Sequence, residues 1–342
     1  MNLQRRGQIY LIFICLLVVA CRNKKDVDVS NIKVNLEIER FDKELYSLTP
    51  EQVSVKAPVL KQRYGHFYGD YMESILGVGP VTDTAYYQQL RTVLNNKDYK
   101  ELAAQVARTF PQLDKQEEEL RDAYKHIVYF YPKAKVPRII SFFSGFSVQT
   151  PVGNDYIGIG LDMFLGRQSR FYPALVQSIP QYISRRFTPE NITPRVMEGY
   201  IREDLFPDQD EDRSLLSKMI YNGKILYMMG AVMPQVSDSL MIGYTAEQVQ
   251  WAETNKPEIW AYFLENNLLF ETDYNKIQKY LTDAPFTPGI GTDSKSAPKL
   301  AVFTGWQIVK KYMANKPDVT LQQLMQETDD QKILNDSKYK PR

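Results

Sequence analysis

At 342 residues the chain is long enough for one large domain or two ordinary ones around a sizeable core. Hydrophobic residues at 44%, charged residues at 24%, 17 Gly and 19 Pro make an ordinary globular composition, which excludes wholesale disorder, collagen-like repeats and disulfide scaffolds. Lys and Arg (42) nearly balance Asp and Glu (41), so the basic excess of a nucleic-acid binder is absent and no nucleic-acid partner is expected.

The N-terminus reads as an address. Arg5 and Arg6 precede Ile9–Ala20, an almost wholly apolar run of about 12 residues, where a spanning helix needs about 20. A basic start and a short apolar stretch make a secretory signal peptide over residues 1–20. Val18-Val19-Ala20-Cys21 resembles the bacterial lipobox. That resemblance implies cleavage after Ala20 and acylation of Cys21, so that palmitate-type chains hold the mature protein on a membrane without a spanning helix. Cys15 would leave with the signal, so the mature fold has no other thiol; thiol catalysis, disulfides and Cys-ligated zinc are excluded. Residues 21–33 read as a tether, polar over Arg22–Ser30. Arg22 is not the Asp that retains some lipoproteins at the inner membrane, and no rich acidic run suggests surface export. The expected place is the cell envelope, periplasm-facing, with the outer membrane favoured over the inner.

Residues 34–342 read as one domain, helical to about residue 133, then a small sheet and more helices. Val34–Phe41 alternates apolar and polar residues, as a half-buried strand does. Helical spacing follows over Pro58–Leu76, Thr84–Leu94, Asp98–Phe110 and Asp114–Tyr131, the last opened by Glu117, Glu118 and Glu119 at its positive end. Val136–Phe143 is apolar, β-branched and aromatic, hence a strand. Tyr156–Leu161 is its expected partner, joined through the turn-rich stretch 150–155. Helices are expected again over Tyr172–Phe187, Pro194–Leu205, Leu215–Met233, Thr245–Thr254, Pro257–Leu268 and Asn275–Leu281. Asp283–Pro298 reads as a long loop, and Phe303–Met313 and Leu321–Gln326 as the last helices. Helices, a short sheet, then helices argue an α+β fold, mostly α-helical with one small β-sheet.

The motifs that could carry chemistry mostly fail on spacing. Asp208-Gln-Asp210-Glu-Asp212 opens like a calcium loop, but Arg213 and Met219 stand where Gly and Glu are needed. Gly289–Ser296 nearly spells a P-loop, but Ser294 replaces the glycine before Lys295, and prolines flank the segment. Ser144 lacks the leading glycine of a nucleophile elbow. His66 and His126, the only two histidines, lie in separate aromatic-rich segments and read as packing or surface residues. Trp251, Trp260 and Trp306 with 23 tyrosines could line a glycan- or peptide-binding groove, or belong to the core. No catalytic, metal or cofactor-binding residue is assigned; Cys21 is the one site residue.

From about Asn35 onward the chain resembles the gliding motility lipoprotein GldB family. The resemblance rests on the lipobox, on Phe187–Tyr200, on Lys224–Met229, on Thr245–Trp251 and on Asn255–Trp260. Its strongest block is Asp283–Gly291 followed by Gly305–Val309 and Tyr312-Met313. That family looks like a distant relative of helical zinc metallopeptidases, in which a short sheet precedes a His-Glu-x-x-His helix and a Glu-Gly segment supplies the third ligand. Here the matching helix would read Ser178-Ile-Pro180-Gln-Tyr182, without histidine and with a proline that disturbs it. Glu198-Gly199 matches the third-ligand segment, and one carboxylate cannot hold zinc. The resemblance implies a zincin-like scaffold without its zinc motif and without a cofactor. It would be a non-enzymatic component or assembly factor of the gliding motility machinery and its associated secretion machinery, with envelope proteins as partners. The alternatives are a glycan- or peptide-binding envelope lipoprotein and a residual metallopeptidase-like hydrolase.

Overall fold

The computed structural model describes residues 27–209, 211–291 and 295–342. The signal segment, Cys21 and most of the tether lie outside the described residues, as do Asp210 of the acidic cluster and residues 292–294 of the P-loop-like segment.

Three parallel strands order the fold: β1 (Ile38–Glu39), β2 (Arg138–Phe142) and β3 (Tyr156–Gly160), side by side in that sequence. Parallel pairing sets Ile139 beside Ile157 and Phe142 beside Gly160. Alternation along the strands then serves two cores. Ile139, Ile157 and Ile159 face the larger one, built mainly from helices after residue 97. Ile140, Phe142 and Tyr156 face the smaller one, built from residues 41–94. The sheet is thus buried on both faces, which suits its near-continuous apolar strands.

β3 is the expected partner of β2, but in parallel, so the connection must double back. Residues 149–153 run antiparallel along the far edge of β3, where Gly160 N donates to Gln149 O (2.8 Å) and Gly158 N to Pro151 O (2.8 Å). The two glycines are required by this close approach: a Cβ on Gly160 would lie 2.3 Å from Val148 O, and one on Gly158 2.6 Å from the Phe142 ring.

The smaller core centres on Phe41, whose ring meets Tyr64, Phe67 and Tyr71 at 4.9, 5.1 and 4.9 Å, mostly edge to face. Only Ile38–Glu39 of the expected strand 34–41 is paired, because Phe41 already opens a helix, Phe41–Tyr46, into this cluster. The expected helix Pro58–Leu76 is broken: Val53–Tyr64 ends at Gly65 (φ +55°), and His66–Asp70 continues into a π-helical turn, Tyr71–Ile75. The break lets Tyr64, Phe67 and Tyr71 converge on one ring.

The larger core is built around Leu215–Val232, apolar nearly all round, crossed by Leu300–Asn315. Helix Asp330–Ser337, not expected from the pattern, packs on the second of these, with Asn315 Nδ2 donating to Ser337 O (2.8 Å). Lys97–Thr109 and Asp114–Phe130 form close to their expected bounds, and Ala246–Thr254 and Leu321–Gln326 open on Thr245 and Thr320 capping boxes. The expected helix Tyr172–Phe187 does not form. A 3₁₀ turn, Tyr172–Leu175, and a four-residue helix, Gln181–Ser184, replace it, because Pro180 is extended (ψ 150°) and starts a new segment. No helix among the described residues is long and apolar enough to cross a membrane.

Candidate functional site

Local sequence places three of the site's residues and tertiary folding brings the rest. Arg195, Glu198 and Arg202 sit at i−3, i and i+4 on Ile192–Tyr200 and the π-helical turn Ile201–Leu205, so they share one face. Arg195 Nη1 reaches Glu198 Oε2 at 2.7 Å and Arg202 Nε reaches Oε1 at 3.0 Å. Arg202 Nη2 also donates to Asn222 Oδ1 (2.9 Å). Beside them, Asp283 takes Arg186 Nη2 at 2.7 Å on one oxygen and Lys299 Nζ at 3.0 Å on the other. Asp283 and Lys299 flank the long loop, which is laced by Thr287 and Ser296: Thr287 Oγ1 donates to Ala297 O (2.8 Å) and Ser296 Oγ to Thr287 O (2.8 Å).

The electrostatics follow from crowding. Burial by itself would raise the Glu198 carboxyl, but Arg195, Arg202 and Lys299 outweigh it and hold it at about 2. Burial acts likewise on Asp283, and Lys299 and Arg186 overcome it, leaving that carboxyl well below its usual range. Lys299 is pushed down to about 8 by burial, with Arg186 and Arg195 adding repulsion against the pull of Asp283. Lys299 also adopts a left-handed backbone (φ +42°) as it opens Leu300–Asn315, a strained conformation that its pairing with Asp283 holds in place. Four cationic side chains thus share two carboxylates, and a fifth, Arg185, lies beside them with its Nη2 donating to the uncharged Gly243 O and Gln248 Oε1. Arg186 Nη1 is buried with no acceptor, a state that costs about 1–3 kcal/mol. It fits against Gly243 because no Cβ is there; one would lie 2.1 Å from Nη1.

Two cavities adjoin this cluster. One, of about 580 Å³, is lined by the apolar Pro194, Val232, Met233, Val236 and Leu240 and by Glu118, Glu119 and Asp122, with Lys115 paired to Glu119. The other, of about 380 Å³, is lined by Arg167, Arg185 and Arg186. They share Glu190 and Leu240, so a groove lined by acidic and apolar residues continues into a basic end.

Both oxygens of Glu198 are engaged by guanidinium groups. Among the described residues no group of three His, Cys, Asp or Glu could hold a metal, so the residues present do not fit a zinc centre. His66 is at the surface, with Nδ1 3.3 Å from Asp155, and His126 is buried, with Nδ1 2.9 Å from Asp122 O, as their surroundings in the sequence suggested. None of the three tryptophans is exposed: Trp306 is buried with the Lys310 ammonium 3.5 Å over its ring, and Trp260 packs edge-on against Tyr339. Gly291 keeps space for Trp251, whose ring a Cβ would meet at 2.6 Å. Lys218 anchors the acidic cluster's Asp208 at 2.8 Å.

Sequence reasoning missed Asp162. Its carboxylate is fully buried and accepts from Ser144 N (3.1 Å), Phe146 N (2.6 Å) and Ser144 Oγ. Left-handed Gly145 (φ +71°) and Phe146 (φ +67°) curl the loop around it. Ser144 therefore serves this loop as a structural hydroxyl. A polar Asp between apolar Leu161 and Met163 was the available cue.

No curated protein and no solved structure matches this chain. The family described as gliding motility protein GldB matches residues 22–341, nearly the whole sequence. With the fold accounted for over the same span, the chain belongs to the gliding motility protein GldB family of lipoproteins.

Proposed function

We propose that this protein is a non-enzymatic, lipid-anchored component or assembly factor of the gliding motility machinery and its associated secretion machinery. Lipid on Cys21 would tether it to the envelope, facing the periplasm, at the outer membrane in preference to the inner. The body would be a zincin-like scaffold turned to holding an envelope protein partner. The observation that carries this reading is Glu198: the carboxylate that the resemblance would make a third metal ligand is committed to Arg195 and Arg202. A carboxylate so held is a poor base and a poor ligand. Support for partner binding comes from the adjoining groove, whose apolar and acidic lining suits an extended basic-apolar polypeptide.

The test places a photo-crosslinking residue at Gln235 or Leu240 in the groove, and at Lys100 as a control, in intact cells. A discrete envelope-protein adduct from the groove positions alone is expected. Purified protein should carry no stoichiometric zinc and cleave no peptide. One equivalent of zinc with chelator-sensitive cleavage would overturn the non-enzymatic reading.

A further inference from the structure

The basic end of the groove has a chemistry of its own. Arg167 is exposed and makes no hydrogen bond or ion pair among the described residues. Arg185 directs Nε to Tyr182 O (3.0 Å) and Nη2 to Gly243 O (2.9 Å) and Gln248 Oε1 (3.0 Å), all uncharged acceptors. Arg186 shares its one carboxylate, Asp283, with Lys299, and keeps a buried donor without an acceptor. Glu190 and Glu247 also line the cavity, but both are exposed and neither is bonded to these arginines. Three guanidinium groups thus meet in one concavity whose two lining carboxylates bond none of them, and the one carboxylate that Arg186 does bond, Asp283, is shared with Lys299. Partial burial of Arg185 and Arg186, with one Arg186 donor left without an acceptor, is unfavourable unless an anion completes them.

From this we infer that the cavity lined by Arg167, Arg185 and Arg186 binds a phosphate monoester or inorganic phosphate. The planar forks of arginine match phosphate oxygens in pairs, and a dianion answers the surplus better than a single carboxylate. A bare phosphate fills only a small part of about 380 Å³, so the site has room for an organic substituent. This assignment does not rest on the partner-binding reading; the groove could be empty of protein and the arginines would still be under-neutralised.

The full chain in neutral detergent is titrated, at constant ionic strength, with inorganic phosphate and with glycerol 3-phosphate, followed by ³¹P line broadening. Saturable broadening is expected, weakened about tenfold or more in the R167Q/R185Q variant, the loss that one or two charge-assisted contacts would cause. Lys100→Gln, at an exposed lysine that lines neither cavity, should bind as the parent does. If the double variant does not fold, Arg167→Gln, whose side chain holds nothing else in place, decides by its own weakening. Tighter binding of the ester assigns a phospholipid-type head group; equal or tighter binding of inorganic phosphate assigns the free ion. Absence of saturable broadening by either anion, or unchanged affinity in the folded arginine variants, overturns the proposal.

Discussion

The backbone of Gly305 lies so close to Met219 that a Cβ on Gly305 would sit 1.8 Å from the Met219 carbonyl oxygen. The reciprocal glycine, Gly223, is equally confined, with Gly305 O 2.4 Å from its virtual Cβ. Helices Leu215–Val232 and Leu300–Asn315 therefore cross backbone to backbone, and both contacts are backbone atoms that cannot rotate away.

Gly305→Ala should consequently destabilise the protein by about 3 kcal/mol or more, because relief requires the two central helices to separate. A denaturant melt of the full chain measures it as a lowered midpoint. Gly230→Ala is the control: its virtual Cβ meets only the flexible Met241 side chain, at 3.6 Å, so its cost should be far smaller. Equal midpoints for the two variants would contradict the crossing.

Glu198 links stability to acid. Its folded value of about 2 lies below the ordinary 4.5, so its contribution is fully present above about pH 4.5. It is lost as the pH falls through about 2, amounting to about 3 kcal/mol. Asp283 acts in the same direction. Glu198→Gln should cost about 3 kcal/mol at pH 7 by leaving Arg195 and Arg202 unneutralised. Its stability should then fall less steeply than the parent's between pH 4.5 and 2, a difference that melts across this range would show.

Asp162 acts in the opposite sense. Burial raises its carboxyl from 3.8 to about 6 despite the donors from Phe146 and Ser144. Between those values the folded state keeps a proton that the unfolded chain has released, so this residue makes stability decline as pH rises from about 4 to 6. In Asp162→Asn that decline should vanish, with the acid-side slope from Glu198 retained. A profile unchanged by the substitution would contradict the assignment.

Cys21→Ser should abolish incorporation of a labelled fatty acid and move the protein from the membrane to the soluble fraction. The parent should label and yield a mature N-terminus at residue 21. Labelling that survives the substitution would overturn the anchor.

What could be read without the structure was local. Lys97–Thr109, Asp114–Phe130 and Leu215–Val232 followed from periodicity, and the capping boxes at Thr245 and Thr320 are equally local signals, because period and capping depend on residues within a turn of one another. The Arg195, Glu198, Arg202 spacing was legible for the same reason. Pro180 marks a disturbance in the sequence, but the two short pieces that replace the helix 172–187 depend on the packing of Tyr172 and Ser184, which no local pattern encodes.

The family and the α+β class were thus determined by the sequence itself, whereas the site was decided by tertiary structure. Asp283 and Lys299 join Arg186 and Glu198 across about 85–113 positions. The parallel order of β1, β2 and β3 depends on pairing between residues 38–39, 138–142 and 156–160. Such contacts leave no periodic trace, because each side chain's local pattern is satisfied before its distant partner arrives. Only the packed core, by excluding water around five cations and two carboxylates, turns ordinary surface residue types into a charged cluster with unmet demand for an anion.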